Sequence, residues 1–151
     1  MRGFFVPACR LYTASHYIWF MGEAELIAAE NKMVIHSHIV CYGGAADETL
    51  TEEIRHEIEW MWNEPKGTVF MQNRWWLVQF NITAETKKEL EELDVLTNTD
   101  ARNNFFRIED YSVINISFVD GLGCNSGYFF LENLYKGSTT AAHEYGHTLG
   151  L

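Results

Sequence analysis

Near the end of the chain, His143-Glu144-Tyr145-Gly146-His147 sets two histidines four residues apart, with a glutamate directly after the first. On an α-helix, residues four apart stack on one face, so each imidazole can aim a nitrogen at one point, about 2.0–2.1 Å from a shared metal ion. Glu144 falls at the edge of that face, where its carboxylate reaches a water on the metal without being a ligand itself. The constraint on folding is direct: the spacing predicts a helix over 138–149 whose histidine face opens into a cleft beside residues 123–131. The flanks agree. Gly137 interrupts what precedes, Ser138 or Thr139 can cap the first turn, and Gly150 can turn left-handed at the end.

The plain alternative is an amphipathic helix with two incidental histidines. Six histidines and sixteen glutamates in 151 residues give only about 0.02 expected H-E-x-x-H strings in a shuffled chain, so the metal reading is preferred.

These residues resemble the signature of the metzincin metallopeptidases, the matrixin-like branch in particular: H-E-x-x-H-x-x-G-x-x-H, followed downstream by a methionine turn. His143, Glu144, His147 and Gly150 match it position by position, and Thr148-Leu149-Gly150-Leu151 is similar to the matrixin helix end. The resemblance implies a zinc-dependent endopeptidase acting on peptides or proteins, with Zn2+ on His143 and His147 and with Glu144 as general base. It implies an α+β, zincin-like fold, in which a twisted mixed sheet is backed by a helix and by the C-terminal active-site helix, and it implies secretion. In the family pattern a third ligand follows Gly150 by three residues, and this sequence ends at Leu151. The expectation is therefore an incomplete catalytic domain holding only the upper subdomain, with zinc weak or absent and little or no peptide hydrolysis. A non-catalytic zincin-fold binding domain, or a fragment, is the alternative. Zincins resembling this chain also place an edge strand for the substrate just ahead of the active-site helix. That assigns Gly123, Asn125 and Gly127 to substrate binding, against the plainer reading of a glycine-rich turn.

Composition narrows the partners. A formal charge of −10 argues against a nucleic-acid backbone or an anionic membrane surface, both of which need a basic face. No apolar run approaches the ~20 residues of a membrane helix. The aromatic start, Met1 to Cys9, lacks the apolar length of a signal peptide. Residues 1–151 read as one domain, with 1–31 an N-terminal extension. Three cysteines, Cys9, Cys41 and Cys124, form no C-x-x-C pair and read as buried free thiols, although Cys41 and Cys124 can meet.

Along the chain, 17–20 reads as a strand and 23–30 as helix-prone. A strand is predicted over 33–42, and a helix over 48–62 with Thr49-Leu-Thr-Glu52 as capping box and Leu50, Ile54, Ile58 and Met61 as its apolar stripe. A hairpin over 68–72 and 75–83 follows, with Trp76, Val78, Phe80 and Ile82 facing inward. Residues 87–93 read as a charged turn, 98–104 as a polar loop, 113–119 as a strand, and 121–131 as a glycine-rich bend into a short aromatic strand. His36 and His38 share one face of the 33–42 strand. The plainer reading is a half-exposed polar pair; the resemblance offers a second, structural zinc site. Asp110, Asp120 and Glu132 read as a solvated acidic face.

Overall fold

The alternating run that starts at Lys32 becomes the central strand of a single sheet. The computed structural model describes residues 22–151. Its strands are β1 (Glu23–Ile27), β2 (Lys32–Tyr42), β3 (Thr68–Met71), β4 (Arg74–Thr86), β5 (Asn103–Glu109), β6 (Phe118–Val119) and β7 (Ser126–Phe130). Its helices are α1 (Glu48–Asn63), α2 (Glu92–Leu96) and α3 (Thr140–Thr148). Across the sheet the order is β3-β4-β2-β5-β7-β6. β2 runs parallel to β4 and β5, and β5 parallel to β7, whereas β3 and the outermost strand β6 are antiparallel to their neighbours. β1 pairs antiparallel with the first part of β2, and β5 takes over from His38 onward. The class is α+β with a mixed sheet, as the sequence leads one to expect.

Period-two alternation sends Ile39 and Cys41 of β2 to one face of the sheet. There they meet Phe80 and Ile82 of β4, Phe106 and Ile108 of β5, Phe129 of β7, Ile54 and Ile58 of α1, and Ala141 and Tyr145 of α3. Each fully buried Ile or Phe contributes roughly 1.5–3 kcal/mol, so this layer is what holds α1 and α3 on the sheet. No helix among the described residues is long and apolar enough to cross a membrane.

Several expectations hold in detail. The β3–β4 hairpin forms, with its turn at Gln72 and Asn73, one residue earlier than the expected Asn73-Arg74; both have positive φ (53° and 61°), the backbone that suits a tight twisted hairpin. Trp76, Phe80 and Ile82 are buried, and α1 ends before Pro65. Its cap, however, is Asp47, whose Oδ1 accepts the Leu50 amide at 2.8 Å. Glu52 is instead engaged by Arg55 at 2.8 Å, so the Thr49 to Glu52 box does not form.

Other expectations are corrected. Residues 23–27 are strand rather than helix, because a tight turn ending at Asn31 (φ 51°) folds them back on β2, and pairing outweighs their helical propensity. β1 is thus part of the sheet, not of an extension over 1–31; the strand expected at 17–20 and Cys9 lie outside the described residues. β5 runs through the end of the expected polar loop. Its Phe105, Phe106 and Ile108 are buried on both faces of a parallel interior strand, which removes the alternation that would reveal it. The expected strand over 113–119 shrinks to Phe118–Val119, since Asn115 takes a left-handed backbone (φ 54°) and Val113, Ile114 and Ile116 stand exposed. Cys41 is a buried free thiol, but Cys124 takes part in a disulfide, so these two do not meet.

Gly127 allows β6 to close over β7. A Cβ at that position would lie 2.6 Å from the Phe118 carbonyl oxygen and 3.0 Å from the Phe106 ring. Gly127→Ala is therefore expected to destabilise the fold by about 1–3 kcal/mol. Urea unfolding checks the loss, and amide exchange should speed up at Phe118 and Val119; unchanged exchange there would contradict this role.

Candidate metal centre

α3 is a nine-residue helix with a buried side and an exposed histidine side. Its buried side is built from Ala141, Ala142, Tyr145 and Thr148, and Tyr145 reaches through the core to place its hydroxyl 2.7 Å from Ser37 Oγ of β2. Burial pushes the Tyr145 hydroxyl up to about 12, with the Ser37 contact opposing, so this pair stays a neutral hydrogen bond. Gly146 lies under Trp62 of α1, where a Cβ would come within 2.8 Å of the indole. The residue between Tyr145 and His147 in the motif is glycine because α1 packs this closely.

The end of α3 is a Schellman turn. Gly150 is left-handed (φ 85°), its amide donates to the His147 carbonyl at 3.1 Å, and the Leu151 amide donates to the Gly146 carbonyl at 3.2 Å. That turn returns the main-chain oxygen of Leu151 to His147, whose Nδ1–H donates to it at 2.7 Å. The proton is thereby held on Nδ1, and the lone pair of Nε2 faces outward. An oxygen acceptor of this kind, carbonyl or carboxylate, orients metal-binding histidines in the same way.

Outward lies His143. Its Nε2 is 3.1 Å from Nε2 of His147, with the ring planes at 77°. Two nitrogens on one tetrahedral zinc, each about 2.0–2.1 Å away, stand about 3.3 Å apart. The separation in the protein is already close to that of a chelate. In its absence, the His143 Nε2–H donates to His147, and a metal would require that proton to reside on His143 Nδ1. Nitrogen donors at this spacing fit zinc. Among the described residues no third His, Cys, Asp or Glu joins them in a metal-holding group.

Glu144 is 7 % exposed and points toward Val119 of the edge strand β6. Burial raises its carboxyl above the usual range; the charges of His143 and His147 and the Val119 backbone amide draw it partly back. The histidine pair, the carboxylate and the outer strand of the sheet are thus neighbours.

The remaining expected site residues fall elsewhere. Gly127 is enclosed between β5 and β6, so its backbone is not open to a ligand. Asn125 gives its carbonyl to Phe105 N and its side-chain amide to Asn103 O. The Gly123 amide donates to the His147 carbonyl at 2.8 Å, which fastens the bend to α3 rather than freeing it for substrate. Among the described residues the outer strand at this end of the sheet is β6, and β7, which carries Gly127, is an interior strand.

His36 and His38 lie on the far face of the sheet, since Ser37 between them points to Tyr145. His36 contacts Glu25 at 2.9 Å and Asn81 at 3.1 Å; His38 contacts Thr83 at 2.7 Å and Glu85 at 3.1 Å. All four ring nitrogens have side-chain partners, which accords with the polar-pair reading. Asp120 is not simply solvated: it accepts the Ser126 hydroxyl at 2.6 Å, and burial raises its carboxyl.

Two α1 residues at the site were not visible from the motif. Glu57 Oε1 accepts the Ala142 amide at 3.1 Å, and Trp62 Nε1–H donates to the Ala142 carbonyl at 3.0 Å. A signal for Glu57 does exist: it lies three residues after Ile54 and four before Met61, within the apolar stripe, where a carboxylate needs a partner.

The buried Glu144 has a stability consequence with a definite sign. In the native state it keeps its proton to higher pH than the roughly 4.3 of an unfolded glutamate, so ionising it costs stability at neutral pH. The cost disappears as pH falls below the unfolded value. Glu144→Gln should raise stability at pH 7 by on the order of 1 kcal/mol, and the gain should vanish near pH 4. Urea denaturation at the two pH values measures it; a loss of stability at pH 7 would contradict the account.

Compared with protein-family models, with curated proteins and with solved structures, the chain matches none. Its chemistry is therefore argued from the residues and geometry above.

Proposed function

We propose that this chain carries the core of a zinc-dependent peptidase site, with His143 and His147 as metal ligands and Glu144 as general base. The observation that carries the reading is the converging Nε2 pair, 3.1 Å apart, with the His147 tautomer fixed by Leu151. A zincin-like upper subdomain fits the arrangement: a mixed sheet with an antiparallel outer strand, and α1 and α3 on one face.

The residues divide the work. Zinc, when bound, supplies Lewis acidity toward a peptide carbonyl and toward water. Glu144 takes a proton from water on its carboxylate and passes it to the leaving amine; the burial that raises its affinity for a proton suits both halves of that task. β6, which among the described residues pairs with β7 alone and adjoins Glu144 through Val119, offers its outward backbone to an extended peptide. Exposed Val113, Ile114 and Ile116, just before β6, offer apolar contacts to the side chains of such a peptide.

A second reading is a non-catalytic binding domain of the same architecture, in which the enclosed side of α3 serves to brace the sheet. Metal and activity separate the two. With two protein ligands, the 151-residue chain should lose zinc on dialysis and cleave peptides slowly or not at all. A chain supplied with a third ligand three residues after Gly150, and with a methionine turn behind it, should cleave peptides and stop when chelated. Glu144→Ala in that chain should lower kcat/KM by roughly 10²–10⁴-fold while zinc content stays stoichiometric. Complete zinc binding with no cleavage across a diverse peptide library would leave the binding-domain reading.

A further inference from the structure

α3 lacks a cap of its own. Thr139 stands at the N-cap position and makes no side-chain cap hydrogen bond, although four amides at a helix start need acceptors. The acceptor comes from another element. Glu57, on α1, receives the Ala142 amide at 3.1 Å, and its carboxylate also faces the Ala141 amide and the buried Ser138 hydroxyl. Five residues on, Trp62 of the same helix donates to the carbonyl of the same Ala142 at 3.0 Å. The residue directly before His143 is therefore held by α1 at both its amide and its carbonyl.

We propose that Glu57 is a positioning residue for the histidine pair: by holding the first turn of α3, it sets the direction of His143 so that its Nε2 meets that of His147. The inference rests on the reading of these histidines as metal ligands only for its consequence in metal affinity; the alignment itself is a property of the metal-free protein.

Three observations support it. Glu57 is half-buried, and burial raises its carboxyl while the Ala142 and Ala141 amides oppose, so the residue bears a desolvation cost that a surface acid would not. A carboxylate at a helix N-terminus is favoured by the partial positive charge there, which makes Glu57 an anchor for the turn as well as an acceptor. Finally, Gly146 admits the Trp62 ring to within contact of α3, and this brings α1 close enough for Glu57 to reach. His143 itself is exposed and has His147 as its ring partner, so the direction of its ring follows from the backbone of the turn that carries it.

The test compares wild type with Glu57→Ala, Glu57→Met and Glu57→Gln in the full chain. Long-range proton–nitrogen NMR of the metal-free histidine rings reads the alignment, and cobalt(II) titration by visible absorption reads its consequence. In wild type, His147 should show a proton fixed on Nδ1 and His143 a proton on Nε2. Glu57→Ala should average the His143 tautomers and weaken cobalt binding about tenfold in a protein whose far-ultraviolet dichroism is unchanged. Glu57→Met, similar in length but without an acceptor, should behave alike, and is the variant to read if Glu57→Ala does not fold. Glu57→Gln keeps an acceptor oxygen and should restore the wild-type ring spectrum, with cobalt affinity within about threefold. A folded Glu57→Ala or Glu57→Met protein with wild-type ring signals overturns the proposal. Wild-type protein that shows the ring pairing but takes no cobalt would sink the metal reading alone.

Discussion

A helix of nine residues is too short to persist in water by its own hydrogen bonds, so α3 exists because one of its sides is buried. Everything proposed for the site depends on that packing. Tyr145 anchors the helix to β2 through Ser37, Gly146 lets Trp62 of α1 lie against it, and Ala141 sits in the core beneath. With three contacts fixing rotation and height, the opposite side has little freedom, and His143 and His147 face one another. The Schellman turn at Gly150 completes the arrangement by giving His147 the main-chain oxygen of Leu151 to hold its proton.

The same packing places a carboxylate where it costs stability. Glu144 lies between α3 and β6, largely desolvated, with the Val119 amide nearby. A helix chosen only for stability would carry a neutral or apolar residue there. Groups with raised proton affinity beside candidate ligands gather where proton transfer is needed, although ion networks also produce them. Here the neighbouring side chains are two imidazoles aimed at a common point, which separates Glu144 from the buried Glu109, paired with Arg107, and from the part-buried Asp120, whose partner is a serine hydroxyl.

How much of this could be read from the sequence varied with the physics of each element. α1, β4 and α3 were legible because each has one buried face, β2 by its β-branched residues and β7 by its aromatic run after glycine, and clear stops helped: Gly43 after β2, Pro65 after α1, Gly150 after α3. β5 was not, since a parallel interior strand is apolar on both faces and its start, Asn103 and Asn104, looks like loop. Residues 113–116 misled in the opposite direction, because their alternation lies on an exposed segment. The histidine pair and Glu144 followed from spacing alone. The enclosure of Gly127 was not legible, because which strand forms the sheet edge is a matter of topology: β6, two residues long, takes the place outside β7. The Glu57 contact is equally tertiary, joining residues 85 positions apart.

The account stands or falls on whether the two imidazoles form a metal chelate. Crystals of the protein soaked in zinc, with data collected on both sides of the zinc absorption edge, address that directly. The expected result is an anomalous peak about 2.0–2.1 Å from Nε2 of both His143 and His147, with the α3 backbone and the His147 contact to Leu151 undisturbed. Zinc bound elsewhere, at His36 and His38 for instance, while His143 and His147 keep their mutual hydrogen bond, would contradict it.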